Sequence, residues 1–548
     1  MDYELNAAKL YAPIPVGRAQ SRLLRLHHGP AAGPLLADLV VADVKLEGVL
    51  LHEEQRQVAY TALSYTWGTG PFSHDITING VPLRIKESLS DFLHQYRSDQ
   101  LLEKESYLWI DAVVINQADA DEKSRQVTNM IDFYDKARHV QVWLGKATIH
   151  TEEAVCFLYY LLADTHRKNR NISDGALDGL RDLYTRTWPT RMWIRQEVWA
   201  AKVISIQCGS FILPLDVFKA GVIFSPEAGD NLDEAGDNLD EAGSEASDLG
   251  IYSSPRTLKW LHKKLKIAQA QLAAISFLTQ KIVCQQSSED RAVSGLGYKA
   301  MEGDGRKDIL WLLYESVNYE STDIRDRIYA LIGMCDDPDI EVDYQKTPAE
   351  VFTSFAKHII MRARSLGRVL DQFCKYGRQS DLDLPSWVPD WRTMDLIRYE
   401  PHTVTTYDMN SSFDSNRPQV LTIHGFLLGK VEVAKAKKRR ASNKLVHSDW
   451  TRIRDTLKES NLFLGFLDNI PREDTITLDY MRREMKPGDS LIAACGSDDF
   501  LLLRSHPESE DDTYEFVSCV FSDKRKKLRA LLLKYGVENG VLETFAVA

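Results

Sequence analysis

Three stretches of this chain are apolar runs that end in polar or glycine residues: Tyr60-Thr-Ala-Leu-Ser-Tyr-Thr-Trp-Gly68, Leu108-Trp-Ile-Asp-Ala-Val-Val-Ile-Asn-Gln117 and Arg191-Met-Trp-Ile-Arg-Gln-Glu-Val198. A buried strand or helix that delivers side chains to a site at its end leaves this pattern. Residues 58–65 are rich in β-formers and predict a strand that stops before Trp67-Gly68. Residues 76–85 predict a hairpin, because Asn79-Gly80 favours the positive φ angles of a type I′ turn. Ser88 is a candidate N-cap for a helix running to Arg97. Residues 107–115 are almost continuously apolar and predict a strand covered on both faces. Asp111 interrupts that run, and a carboxylate there is either a structural buried acid or a site residue.

Further along, Val127, Met130, Ile131 and Tyr134 fall at i, i+3, i+4 and i+7. They predict a helix over residues 121–137, with Glu122, Arg125 and Asn129 away from its buried face. Residues 139–145 and 203–209 return to strand. This alternation predicts an α/β fold, a parallel sheet flanked by helices, in which ligands sit at the carboxyl ends of the strands. Ser64, Tyr65, Trp67, Gly68, Asn116, Gln117 and Gly145 are strand-end residues on that reading.

After residue 220 the pattern changes. The sequence Glu-Ala-Gly-Asp-Asn-Leu-Asp occurs twice from Glu227, followed by a decayed third copy, and it predicts a disordered acidic loop too poor in apolar surface to fold. Helical periodicity resumes at 258–279, 309–317, 324–334 and 348–365. Strand-like runs follow at 420–433, 489–495 and 512–521. The expected organisation is an α/β domain over 1–220, the acidic loop over 221–250, a helical companion region over 251–395 and a small mixed or β region over 396–548.

Composition narrows the chemistry. The 548 residues carry a net charge of −12, and nine acidic residues with no basic one fall between Glu227 and Asp248, so the rest of the chain is nearly balanced. A nucleic-acid partner is not expected from that balance. The seven cysteines are odd in number, widely spaced and free of CxxC pairs, which points to reduced thiols in a cytoplasmic or nuclear protein and to no metal site. The start Met1-Asp-Tyr-Glu-Leu lacks the pattern of a signal peptide. No uncharged apolar run reaches the roughly eighteen residues of a membrane span. The basic run Lys435-Ala-Lys-Lys-Arg-Arg440, with Ser442 nearby, reads either as an import signal or kinase site or as a solvated loop. Phosphate-loop, dinucleotide, zinc-protease and esterase-elbow signatures are absent, so the chemistries they serve lose their usual support.

The order and wording of the three blocks resemble the fungal heterokaryon-incompatibility (HET) domain. The resemblance extends to Ser21-Arg-Leu-Leu-Arg-Leu26, Ile78-Asn-Gly80 and Gln126-Val-x-x-Met130, and downstream to Asp323-Ile-Arg-Asp-Arg-Ile-Tyr-Ala-Leu-Ile-Gly333, Asp343-Tyr344, Pro385-Ser-Trp-Val-Pro-Asp-Trp391 and Lys486-Pro-Gly-Asp-Ser490. Where the family commonly has a cysteine before Ile-Asn-Gln, this chain has Val114. HET domains are similar in fold to TIR domains, which implies a TIR-like, flavodoxin-like layering here. Trp193-Ile-Arg-Gln-Glu197 looks like the TIR Trp-x-x-x-Glu segment, whose glutamate is catalytic in NAD-cleaving members; Trp193 and Glu197 would then lie on one helical face.

The resemblance implies Glu197 as the catalytic residue. It implies Ser64, Tyr65, Trp67, Gly68, Asp111, Asn116, Gln117 and Trp193 as groups that bind NAD, which is a substrate rather than a cofactor. The residues leave alternatives open, since Trp193 is either a base platform or core, and Glu197 either a catalyst or a helix-surface acid. Three functions follow: a NAD-consuming effector of fungal cell death and self/non-self recognition, a non-catalytic module that self-associates or meets another incompatibility protein, or a repurposed enzyme of secondary metabolism. The charged Arg325-Asp-Arg-Ile-Tyr329 either holds the first domain inactive or forms a structural ion-pair network.

Overall fold

The computed structural model of the chain describes residues 2–17, 19–30, 32–45, 48–98, 106–163, 173–219, 308–335, 339–363, 366–370, 380–392, 412–413, 417–433, 443–445, 486, 488–495, 497, 500–505, 513–520, 533 and 542–548. The chain divides into two compact units, Met1–Gln345 and Lys346–Ala548. The acidic repeat, the helical pattern at 258–279 and the basic run at 435–440 lie outside the described residues.

The first unit is a mixed α/β structure. Its strands are β1 (Gln20–Leu26), β2 (Leu35–Lys45), β3 (Gly48–Leu51), β4 (Arg56–Val58), β5 (Tyr60–Tyr65), β6 (His74–Ile78), β7 (Val81–Ile85), β8 (Tyr107–Trp109), β9 (His139–Gly145), β10 (Ile204–Cys208) and β11 (Phe211–Pro214). Its helices are α1 (Asp2–Tyr11), α2 (Glu87–Ser98), α3 (Asp111–Val114), α4 (Ala120–Thr128), α5 (Met130–Lys136), α6 (Thr151–Ala163), α7 (Asp174–Thr185), α8 (Ile194–Ala200), α9 (Leu215–Lys219), α10 (Ile309–Glu315) and α11 (Asp326–Ile332). All eleven strands join one sheet, whose path runs β11-β10-β9-β5-β8-β1-β2-β3-β4, with β6 and β7 attached beside β2.

The sheet is not the uniformly parallel one expected. Strands β8, β5, β9 and β10 pair in parallel, but β1 and β11 join the two ends of that group antiparallel, and β1, β2, β3 and β4 continue antiparallel. The reason lies in connection length. Parallel neighbours need a helical crossover, which α2, α4, α5 and the α6–α8 run supply, whereas the segments before β5 are joined by short turns that reverse the chain. Within the parallel group the spatial order is second, first, third and fourth in sequence, so chain direction of travel reverses between β5 and β9. Successive residues of β5, β8 and β9 are nearly all buried, which requires cover on both faces.

Local chemistry accounts for three further departures. The apolar run from Tyr107 leaves the sheet after Trp109, because the Asp111 carboxylate accepts from the Ala112 amide at 2.7 Å and starts the short helix α3. The expected helix over 121–137 is two helices broken at Asn129, and Asp119 caps the first by accepting from the Glu122 amide. Glu122 points inward, not outward: Arg22 on β1 is fully buried and donates to both carboxylate oxygens of Glu122, at 2.7 and 3.0 Å. Helix α2 starts at Glu87, so Ser88 lies inside it rather than capping it. The hairpin turn is as expected, with Asn79 at φ 49° and Gly80 at φ 76°.

The second unit holds α12 (Pro348–Ala363), α13 (Gly367–Leu370) and strands β12 (Ser412–Phe413), β13 (Leu421–Val433), β14 (Asn443–Leu445), β15 (Ser490–Ala494), β16 (Phe500–Ser505), β17 (Tyr514–Val520) and β18 (Glu543–Val547). Strands β13, β15, β16, β17 and β18 pair in succession, and β18 returns to β13, so the sheet closes on itself. The Pro385–Trp391 motif is structural there: Trp387 and Trp391 are fully buried, and the Trp387 indole donates to the Gln419 carbonyl at 2.8 Å. Among the described residues no helix is long and apolar enough to cross a membrane.

Candidate functional site

The carboxyl ends of β5 and β8 carry the site. Ser64, the penultimate residue of β5, is fully buried and donates its hydroxyl to Glu197 Oε2 on α8. The same Ser64 Oγ accepts from the Trp188 indole at 2.7 Å. A buried hydroxyl with one donor bond and one acceptor bond is satisfied, so the serine is fixed as a link between the two chain segments. Arg191 Nη1 lies 3.7 Å from the other carboxylate oxygen, Oε1.

Glu197 is 1% exposed. Burial pushes its carboxyl up to about 7; Arg191 and the Ser64 hydrogen bond oppose that rise, and the negative charge of Asp111 adds to it. The Glu197 proton is therefore held well above the ordinary carboxylate range.

A second cluster stands at the end of β8. The Trp67 indole lies 3.1 and 3.3 Å from the two Asp111 oxygens, and the Gln117 side-chain amide donates to the Asp111 carbonyl at 3.0 Å. Burial raises the Asp111 carboxyl, and Arg191, the Ala112 amide and the Trp67 indole pull it down. Tyr65 belongs to both clusters, because burial chiefly, and then the charges of Asp111 and Glu197, hold its hydroxyl proton on while Arg191 opposes them. Tyr134 on α5 is influenced by the same charges and donates to the Leu63 carbonyl at 3.0 Å.

The structure thus brings Ser64, Tyr65 and Glu197 into one electrostatic group, with Trp67 and Asp111 coupled to it. Other candidates are used differently. Asn116 shapes the turn after α3: its side chain accepts from the Ala118 amide at 3.2 Å and its own amide donates to Glu122 at 2.7 Å. Gln117 acts through the Asp111 backbone. Gly68 is exposed at φ 79°, a conformation that suits glycine, and its carbonyl accepts from the Lys86 ammonium at 2.6 Å.

The Trp193 indole donates to Asp326 Oδ2 on α11 at 2.9 Å. The Tyr344 hydroxyl donates to the other Asp326 oxygen at 2.6 Å, and burial pushes the Asp326 carboxyl up to about 6. The segment before α11 is bonded to the Glu197 segment through its backbone: Met192 donates to the Glu320 carbonyl at 2.8 Å, and Glu320 donates to the Thr190 carbonyl at 2.6 Å. Residues around 320–344 therefore support α8 within the same unit. Arg325 meanwhile pairs with Asp323 at 2.7 Å and bonds the Tyr344 carbonyl at 2.8 Å, the contacts of a structural ion pair.

Sequence reasoning did not assign Trp188, Arg191 or Asp326 to the site. Arg191 opens the third block, and an arginine six residues before a candidate acid was the available signal. Trp188 offered only a Trp-Pro pair, and the position of Asp326 depends on a contact across 133 residues of sequence.

The molecule is, at this level, a mixed α/β protein that holds a buried acid, bonded to Ser64 and faced by Arg191, at the strand ends of its first unit. Residues 60–197 match the family model of the heterokaryon incompatibility protein (HET), a span that begins at β5 and ends on Glu197. Over 480 residues, 76% of this chain, the sequence is 25% identical to heterokaryon incompatibility protein 6, OR allele, of Neurospora crassa. The chain spans 64% of the length of that relative. No solved structure matches the chain. Residues 60–197 thus carry a HET domain.

Proposed function

We propose that this protein acts in fungal self/non-self incompatibility and the cell death that follows it, and that its strand-end cleft cleaves NAD at the nicotinamide–ribose bond. The observation that carries the chemical part is Glu197: a buried carboxyl fixed by Ser64 and faced by the Arg191 cation, beside the β5–β9 switch. Ligands of open α/β sheets bind at such switch points, and the order of the four parallel strands is the flavodoxin-type order that a TIR-like reading requires.

In the reaction, the C–N bond between ribose and nicotinamide breaks, the ring leaves as neutral nicotinamide with the bonding pair, and water adds to the ribose carbon with loss of a proton. The leaving group already carries positive charge, so it needs no acid. The ionised Glu197 stabilises the oxocarbenium-like ribose. Trp67, half-buried beside Asp111, would rim the ring or ribose, and the matched relative's name supports the biological setting.

One observation favours a second reading. Both Glu197 oxygens already face protein groups, Ser64 and Arg191, and the side chain is 1% exposed, so the acid also suits a non-catalytic module that self-associates or engages another incompatibility protein. Incubation of the purified full chain with NAD decides: nicotinamide release abolished by Glu197→Gln is the expected result. Absence of release across a range of protein concentrations, with E197Q still active in an incompatibility assay, would support the second reading instead.

A further inference from the structure

Beyond Glu197 itself, the site contains one positive charge, Arg191, and a second acid, Asp111. Arg191 Nη1 is sealed from solvent and has no hydrogen-bond partner among the described residues, although it lies 3.7 Å from Glu197 Oε1. A buried guanidinium nitrogen without a bond is costly, and ordinary packing would have satisfied it with a carbonyl. Instead it faces Glu197, while its charge also acts on Asp111 and on the hydroxyls of Tyr65 and Tyr134.

These four groups come from four different places. Tyr65 ends β5, Asp111 follows β8, Tyr134 lies on α5 and Glu197 lies on α8. From α11 the nearest acid is Asp326, which is occupied by Trp193 and Tyr344. Among the described residues Arg191 is the cation that acts on Glu197, whereas Lys123 adds a smaller pull on Asp111.

We propose that Arg191 is the positioning residue of the site, a single guanidinium shared as counter-ion by Glu197 and Asp111, so that the two acids compete for one charge. This deepens the reading of Glu197 as the reactive carboxylate and rests on it. When both acids are ionised, the second one faces its like neighbour without a cation of its own. Burial already holds the proton on Glu197 and the charge of Asp111 tightens that hold, so moving Arg191 toward one carboxylate releases the proton from it.

The test does not depend on turnover. Infrared titration of the full chain, with the E197Q spectrum subtracted, reads the carbonyl stretch of protonated Glu197. The wild-type midpoint is expected near the value of about 7. Arg191→Met should raise it by about one pH unit or more, a tenfold change in proton affinity, and Arg191→Lys should restore most of the difference. Asp111→Asn should lower it, because Glu197 then has the cation to itself.

An unchanged midpoint in R191M, or a midpoint in D111N that stays put or rises, overturns the proposal. D111N decides alone if R191M fails to fold. Should the wild type release nicotinamide, the acid limb of its pH–rate profile must move upward in R191M with the infrared midpoint. If the wild type releases none, the NAD reading fails while the titrations still stand or fall by themselves.

Discussion

Replacing Glu197 by glutamine should stabilise the protein relative to wild type, by a margin that grows as pH rises from the ordinary carboxyl value of 4.5 and levels off above about 7. The carboxyl sits at about 7 in the folded state against an ordinary value of 4.5, with burial as the main cause. The sign follows from proton binding. The folded state holds the proton more tightly, so below the ordinary value both states are protonated and no penalty exists; as pH rises through the folded value the penalty becomes complete. A difference of about 2.5 units is worth roughly 3 kcal/mol, at about 1.4 kcal/mol per unit. Glutamine cannot ionise, keeps an oxygen for the Ser64 hydroxyl and avoids the penalty. Urea unfolding of wild type and E197Q at several values between pH 5 and pH 8, followed by tryptophan fluorescence, measures the gap. It should widen by about 2–3 kcal/mol across that range. Such a result would mark Glu197 as an acid retained at a cost in stability, as functional groups often are. A variant that is less stable than wild type at pH 8, or a gap that does not change with pH, would refute the burial argument and favour a structural acid.

Three more outcomes follow from other contacts. Arg22→Met leaves Glu122 buried without its cation and should destabilise by about 3–5 kcal/mol, whereas adding Glu122→Met should recover part of that loss in a double-mutant cycle. In Gly333→Ala the new Cβ would lie 2.8 Å from Ile131 Cβ and 2.9 Å from Gln196 Oε1; the overpacking should cost about 1–3 kcal/mol by chemical unfolding. Trp193→Phe removes a donor from Asp326, whose carboxyl already sits at about 6, so that value should rise and the variant's stability deficit should increase as pH passes from 4 to above 6.

Much of the first unit was legible because its strongest signals are local. Strands β5, β9 and β10 are short apolar runs, and Asn79-Gly80 fixes its hairpin by backbone preference alone. The mixed character of the sheet was not legible, since the antiparallel joining of β1 to β8 pairs Leu24 with Leu108, far apart in sequence. The same limit explains Glu122: helical periodicity places it on the polar face, and only the buried Arg22 on another strand draws it inward. At the site, Ser64 and Glu197 were both readable as strand-end and motif residues. Asn116 and Gln117 looked alike in sequence, yet they serve the turn after α3, because a polar residue after an apolar run satisfies backbone as often as it binds ligand.

The family-matched span, residues 60–197, does not by itself contain what holds Glu197 in place. Its strand β8 is flanked by β1, which precedes the span, and β9 by β10, which follows it. Helix α8 is bonded on one side to Ser64 inside the span and on the other to Glu320 and Asp326 outside it, and Gly333 packs close to Gln196. Any change that shifts residues 320–344 must therefore move the segment that carries Trp188, Arg191 and Glu197. Arg191 lies 3.7 Å from its acid, beyond hydrogen-bond distance, so a displacement of less than an ångström would convert a loose ion pair into a bonded one. The packing of the support therefore bears on the charge state of the site, and substitutions at Glu320, Asp326 or Gly333 should shift the Glu197 midpoint read by infrared titration without touching that residue.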